Sequence, residues 1–69
     1  MVKMEAYRDG ERWCARGIGV DIFTQGDTMD ELMANIQEAV ALHFEDAAET
    51  PEVLVLSELR AGRAKAATG

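Results

Sequence analysis

Residues 24–40 read TQGDTMDELMANIQEAV: a turn, a helix start and an amphipathic run in one unbroken stretch. Thr28 stands three residues before Glu31, the spacing of a capping box. The Thr28 hydroxyl can accept the Glu31 amide proton while the Glu31 carboxylate reaches back to the cap. Asp30 and Glu31 also occupy the first turn, where the helix dipole favours negative charge. Met29, Leu32, Met33, Ile36, Ala39, Val40, His43 and Phe44 then fall on one stripe at helical spacing, with Glu38, Ala41 and Glu45 opposite. Gly26 and Asp27 form the turn that delivers the chain to this helix. At the far end Thr50 precedes Pro51 and is pushed out of the helical region, so the helix is predicted to fade around Ala47 to Glu49.

Upstream of that helix the pattern is that of strands. VKMEAY carries β-compatible residues, and Asp9-Gly10 is a dipeptide that accepts the positive φ angles of a tight hairpin turn. RWCARGIGV sets Arg12, Cys14 and Arg16 against Trp13 and Ala15, the period-2 alternation of a strand with two different faces. Gly17 and Gly19 interrupt it and predict a bulge or bend. VDIFT supplies a third run, with Val20 and Ile22 on one side and Phe23 on the other. Beyond the helix, EVLVLSEL reads as a short fourth strand or as an arm exchanged between subunits.

The predicted order is β-β-β-α-β: an α+β domain over residues 1–59, with a three-stranded antiparallel sheet and one helix on one face. Residues 60–69, with Arg60, Arg63 and Lys65, are predicted to form a mobile basic tail. A single helix leaves the other sheet face open. If Trp13, Ile22 or Phe23 line that face, another chain must cover it. Trp13, Ile22, Phe23, Ile36 and Val40 are therefore the candidates for core or subunit contacts, and a homo-oligomer is expected. The expectation also follows from size, because a 69-residue chain buries only about 60% of the surface its unfolded state exposes.

The net charge is −6, and its distribution is uneven. Between Gly17 and Leu59 there is no Lys or Arg, while ten carboxylates occur there. An acidic body repels phosphate, which disfavours nucleic-acid binding, and attracts a basic partner. No stretch approaches the roughly 20 apolar residues of a membrane span. The single Cys14 and the lack of a signal-peptide pattern point to the cytoplasm.

Little in the sequence suggests reaction chemistry. His43 and Asp46 are three apart, but no third or fourth metal ligand is in view, so His43 reads as a packed or interface histidine. Arg12 and Arg16 flank Cys14 and would favour its thiolate, yet a free cysteine more often serves as a small buried apolar group. Asp21, Asp27, Asp30 and Glu31 form a carboxylate group, but the turn and the helix start already account for three of them. RGIGVD has two glycines but no Walker lysine. No residue is assigned a catalytic, metal-binding or cofactor-binding role.

From about Met4 to Glu45 the chain resembles the HicB-like antitoxin family. The resemblance is carried by the hairpin YRDGERWCARGIGVDIF followed by TQGDTMDELMANIQEAVALHFED. Thr24, Gly26, Asp27, Thr28, Glu31, Asn35, Ile36, Glu38 and Ala39 fit the family's helix-start pattern. The family's usual Leu-Pro-Gly turn ahead of the threonine is replaced here by GIGVDIF. The resemblance implies an antitoxin that covers the active-site surface of a small basic HicA-type toxin, an mRNA-cleaving ribonuclease. Glu31, Glu38, Glu45 and Asp46 are then the candidate partner contacts. Only ETPEVLVLSELRAGRAKAATG follows the helix, too little for the helix-turn-helix of longer relatives, so operator binding is not expected. The alternative is an orphan homo-oligomeric domain of structural or small-ligand role. A weaker reading, hydrolysis through Asp21, follows from the family's likeness to a reduced ribonuclease H fold.

Overall fold

The computed structural model describes residues 1–57 and 62–64. Four strands and one helix follow the expected order: β1 (Val2–Asp9), β2 (Arg12–Gly17), β3 (Phe23–Gly26), α1 (Met29–His43) and β4 (Val53–Ser57). The domain is α+β, with a single sheet ordered β3-β2-β1-β4. Most of the expected basic tail lies outside the described residues.

Asp9 pairs with Arg12, which leaves Gly10 and Glu11 as a two-residue loop. Only Gly10 takes a positive φ, +66°. That is the II′ pattern, whose twist matches the flanking strands. The expected interruption at Gly17 and Gly19 is present. Gly19 sits at φ +76°, and the Gly17 N–H donates to the Ile22 carbonyl at 2.8 Å, closing a small lobe over residues 18–21. The lobe shortens the third strand, which begins at Phe23 and not at Val20. Val20 and Ile22 still turn to the core side, and Phe23 turns away.

The sheet is not the three-stranded antiparallel one expected. β4 is short, and it pairs in parallel with β1 of its own chain, from Val2 opposite Val53 to Ala6 opposite Ser57. The reason is topological. A 15-residue helix runs about 22 Å, enough to carry the chain from β3 back across the sheet. The next strand then runs in the same direction as β3, beside the free edge of β1.

Strand register assigns the faces. Arg8 opposite Trp13, Ala6 opposite Ala15 and Met4 opposite Gly17 share one face, and Val2 and Met4 continue it onto Val53 and Val55. Helix α1 covers that face. Val2, Met4, Ala6, Ala15, Ile22, Leu32, Ile36 and Val40 form the buried core, with Trp13, Val20, Met29, Ala39 and Phe44 packed around it. Burying each of the larger side chains contributes about 1.5–3 kcal/mol. The helix stripe is narrower than its sequence suggests: Met33 and His43 are exposed.

At the helix start, the Glu31 N–H donates to the Thr28 hydroxyl at 3.1 Å, with Thr28 in an extended conformation. The reciprocal bond from the Glu31 carboxylate is absent among the described residues, so the capping box is half made. Thr28→Ala is expected to cost about 1 kcal/mol, read as a lower urea midpoint at unchanged slope; an unshifted midpoint would remove the cap from the account. The helix stops at His43, short of the expected Ala47–Glu49. Phe44 leaves helical geometry at φ −110°, ψ 29° and packs on the core. Glu45, Asp46 and Glu49 would otherwise place like-signed charge on the negative end of the helix dipole.

Candidate functional site

β3 is an edge strand, and the antiparallel ladder decides which of its groups are free. The Ile22 carbonyl points to β2, where it accepts from Gly17. Alternation then turns Thr24 and Gly26 toward β2 and the backbone groups of Phe23 and Gln25 outward. The Gln25 carbonyl accepts from Asn35 Nδ2 at 2.7 Å, which ties helix and strand together across their shared border. Among the described residues the remaining outward groups of this edge have no backbone partner.

Alongside that edge runs one line of the helix. Glu31, Asn35, Glu38 and Leu42 follow one another at spacings of four, three and four, so they project in one direction. Two shallow depressions separate this line from β3. One is lined by Thr24, Asn35, Glu38, Ala39 and Leu42. The other is lined by Asp21, Ile22, Ala39, Leu42 and His43, with Phe23 at its rim. They share Ala39 and Leu42 and form one open groove, too open to enclose a small molecule. Leu42 is 67% exposed, an apolar side chain left mostly open. Asp21 and Glu38 place negative charge on the groove's lining.

The four predicted partner contacts are all exposed. Glu31 and Glu38 fall together on the helix line beside the groove. Since the Glu31 carboxylate is not engaged by the cap, it is available to a partner. Glu45 would continue the seven-residue repeat, but it lies past the helix end. With Asp46 it sits in the following turn, where helical spacing no longer places it. Among the turn residues, Asp27 meets Arg12 in an exposed ion pair at 3.8 Å.

The predicted core or interface residues separate into three groups. Ile22, Ile36 and Val40 are buried in their own chain's core. Trp13 is half-buried on the helix side, with the Arg8 guanidinium 5.0 Å from its ring centroid. Phe23 alone lies on the open face, 59% exposed. The condition placing Trp13 or Ile22 on that face is therefore corrected: register and the glycine lobe turn both toward the helix.

Cys14 does share the open face with Arg12 and Arg16, yet it is only 3% exposed between Tyr7 and Gln25 on the adjacent strands. Burial denies reagents access to the thiol. His43 packs edge-on against Phe44, with ring centroids 4.8 Å apart. Among the described residues His43 and Asp46 form no ion pair, and no three of His, Cys, Asp and Glu gather as a metal site requires. Among the described residues, no helix is long and apolar enough to cross a membrane. Asn35 was not among the predicted contacts; its amide at a polar position on the groove side of α1 was the available signal. Comparison of the chain with family profiles, curated proteins and solved structures returned no match.

Proposed function

We propose that the protein is a HicB-like antitoxin, or a binding domain derived from one, that neutralises a small basic ribonuclease toxin by direct contact in the cytoplasm. The observation that carries this reading is the alignment of Glu31 and Glu38 along an open groove beside the free edge of β3. That juxtaposition offers charge for a basic surface, backbone groups for an added strand, and Leu42 as an apolar contact. No Lys or Arg occurs between Gly17 and Leu59, so the helix line itself carries only negative charge. No catalytic step is assigned to the chain.

The test is co-purification of the tagged protein from its host, followed by kinetics with the companion recovered. A stoichiometric small basic ribonuclease, inhibited on rebinding, supports the reading. Reversing both charges, Glu31→Lys with Glu38→Lys, is expected to slow association roughly tenfold or more at low salt and to flatten its salt dependence. Unchanged association kinetics would remove both residues from the interface.

A second reading, an orphan homo-oligomeric domain of structural or small-ligand role, is favoured by a different observation. Phe23, Leu54 and Leu56 are exposed apolar side chains on the face that no helix covers. Recovery of the chain alone, as a defined oligomer, would select this reading.

A further inference from the structure

The helix-free face has an internal order of charge and apolar surface. Phe23 is opposite Arg16, Arg16 opposite Glu5, and Glu5 opposite Leu56, so one row crosses all four strands. Across the sheet it reads apolar, positive, negative, apolar. Arg16 Nε donates to Glu5 Oε1 at 3.0 Å, Nη2 lies 2.9 Å from the same oxygen in an ion pair, and the guanidinium lies 5.9 Å from the Tyr7 ring centroid. Phe23, Leu54 and Leu56 are 59%, 41% and 44% exposed at the two ends.

We propose that this face stacks on the same face of a second copy, about a two-fold axis running along the strands between β1 and β2. Such an axis reverses the row. Phe23 then meets Leu56 of the second copy, and Arg16 meets its Glu5. The two intrachain ion pairs close into a ring of alternating charge in which every group keeps a partner. A two-fold axis running across the strands would instead oppose Arg16 to Arg16 and Glu5 to Glu5, which like-charge repulsion disfavours.

The net charge of the chain points to the same face. Two bodies of charge −6 repel wherever their acidic helix sides meet. On the strands, the charged residues of the open face are three cations, Lys3, Arg12 and Arg16, and two carboxylates, Glu5 and Asp9, while Asp27 of the adjoining turn meets Arg12, so the face is close to neutral. Copies can therefore approach here without that penalty. Sheets stack about 10 Å apart with strands within about 30° of each other, which preserves the central contacts. In projection the face covers roughly 300 Å² per copy, well below the roughly 800 Å² per partner of a stable interface, so association is weak and concentration-dependent. The dimer covers Phe23 at one end of the groove beside β3 but leaves Thr24, Asn35, Glu38 and Leu42 open, so it is compatible with either reading of the function.

Sedimentation of four samples from about 10 μM to about 1 mM tests the arrangement: wild type, Arg16→Glu, Glu5→Arg, and an equimolar mixture of the two variants. Wild type is expected to pass from monomer to dimer. Each variant alone is expected to dissociate at least roughly tenfold more readily, because it opposes like charges across the axis. The mixture is expected to recover dimer as a heterodimer. One variant then presents two negative charges and the other two positive ones, and each carboxylate faces a guanidinium across the axis.

Both side chains are exposed, and circular dichroism verifies that each variant is folded. If a reversal unfolds the chain, Phe23→Ser takes its place and is expected to weaken the dimer by a similar factor. A wild type that stays monomeric throughout, variants that dimerise as wild type does, or a mixture no more dimeric than its components would overturn the proposal.

Discussion

Leu32→Ala is expected to lower the free energy of unfolding by about 2–5 kcal/mol. Leu32 is completely buried, and it lies in the first turns of α1 against the sheet. Truncation removes its transfer free energy and leaves a cavity that a domain of two thin layers can only partly close. At roughly 0.05–0.15 kcal/mol per residue, the whole domain has about 3–10 kcal/mol of stability. The variant is therefore expected to be largely unfolded or close to its midpoint at 25 °C. Urea titration followed by tryptophan fluorescence and circular dichroism measures the shift, because Trp13 packs against the core that contains Leu32. Leu42→Ala provides the contrast, since Leu42 is mostly exposed and its loss is expected to change stability by less than about 0.5 kcal/mol. Equal effects at the two positions would mean that α1 does not seat on the sheet through Leu32.

Gly26→Ala is the second large effect, and its cause differs from the turn flexibility that the sequence suggests. Gly26 has no positive φ, so backbone strain is not the issue. A Cβ there would stand 2.7 Å from the Leu32 amide nitrogen, 3.0 Å from Leu32 Cα and 3.1 Å from the Glu31 carbonyl carbon. All three are backbone atoms of the helix start, and no rotamer change can withdraw them. The helix N-terminus would have to lift from β3, loosening the Thr28 cap and the Leu32 packing together. The expected cost is about 1–3 kcal/mol or more. Hydrogen exchange should also show faster opening at Glu31 and Leu32 than at residues of the β1–β2 hairpin. Wild-type stability in Gly26→Ala would rule out the close approach of strand and helix.

The two substitutions show where the sequence was informative. Thr28, Glu31 and the spacing of Leu32, Ile36 and Val40 are local signals, because a cap bond and a helical stripe depend on residues only a few positions apart. The helix start and its buried face could therefore be read directly. The hairpin at Gly10 and the break at Gly19 were legible for the same reason: a positive φ is a demand on a single residue. The helix end was less so, because Phe44 leaves the helix to reach core partners distant in sequence.

The candidate site was legible in part. Its acidity is a property of composition, and Glu31 and Glu38 fall seven apart on any helix. That they flank an open strand edge is not a property of the helix alone, and Asn35 acquires its role only when Gln25 lies beside it.

By itself, then, the sequence determined the element order, the helix cap, the hairpin and the negative charge of the body. Only the tertiary structure decided that β4 pairs in parallel with β1, that Trp13 and Ile22 turn to the helix side, and that Phe23, Arg16, Glu5 and Leu56 form one row. Alternation along a strand shows that two faces exist. Which face is covered, and which residues become neighbours across it, is set by strand register and by where a 15-residue helix delivers the chain.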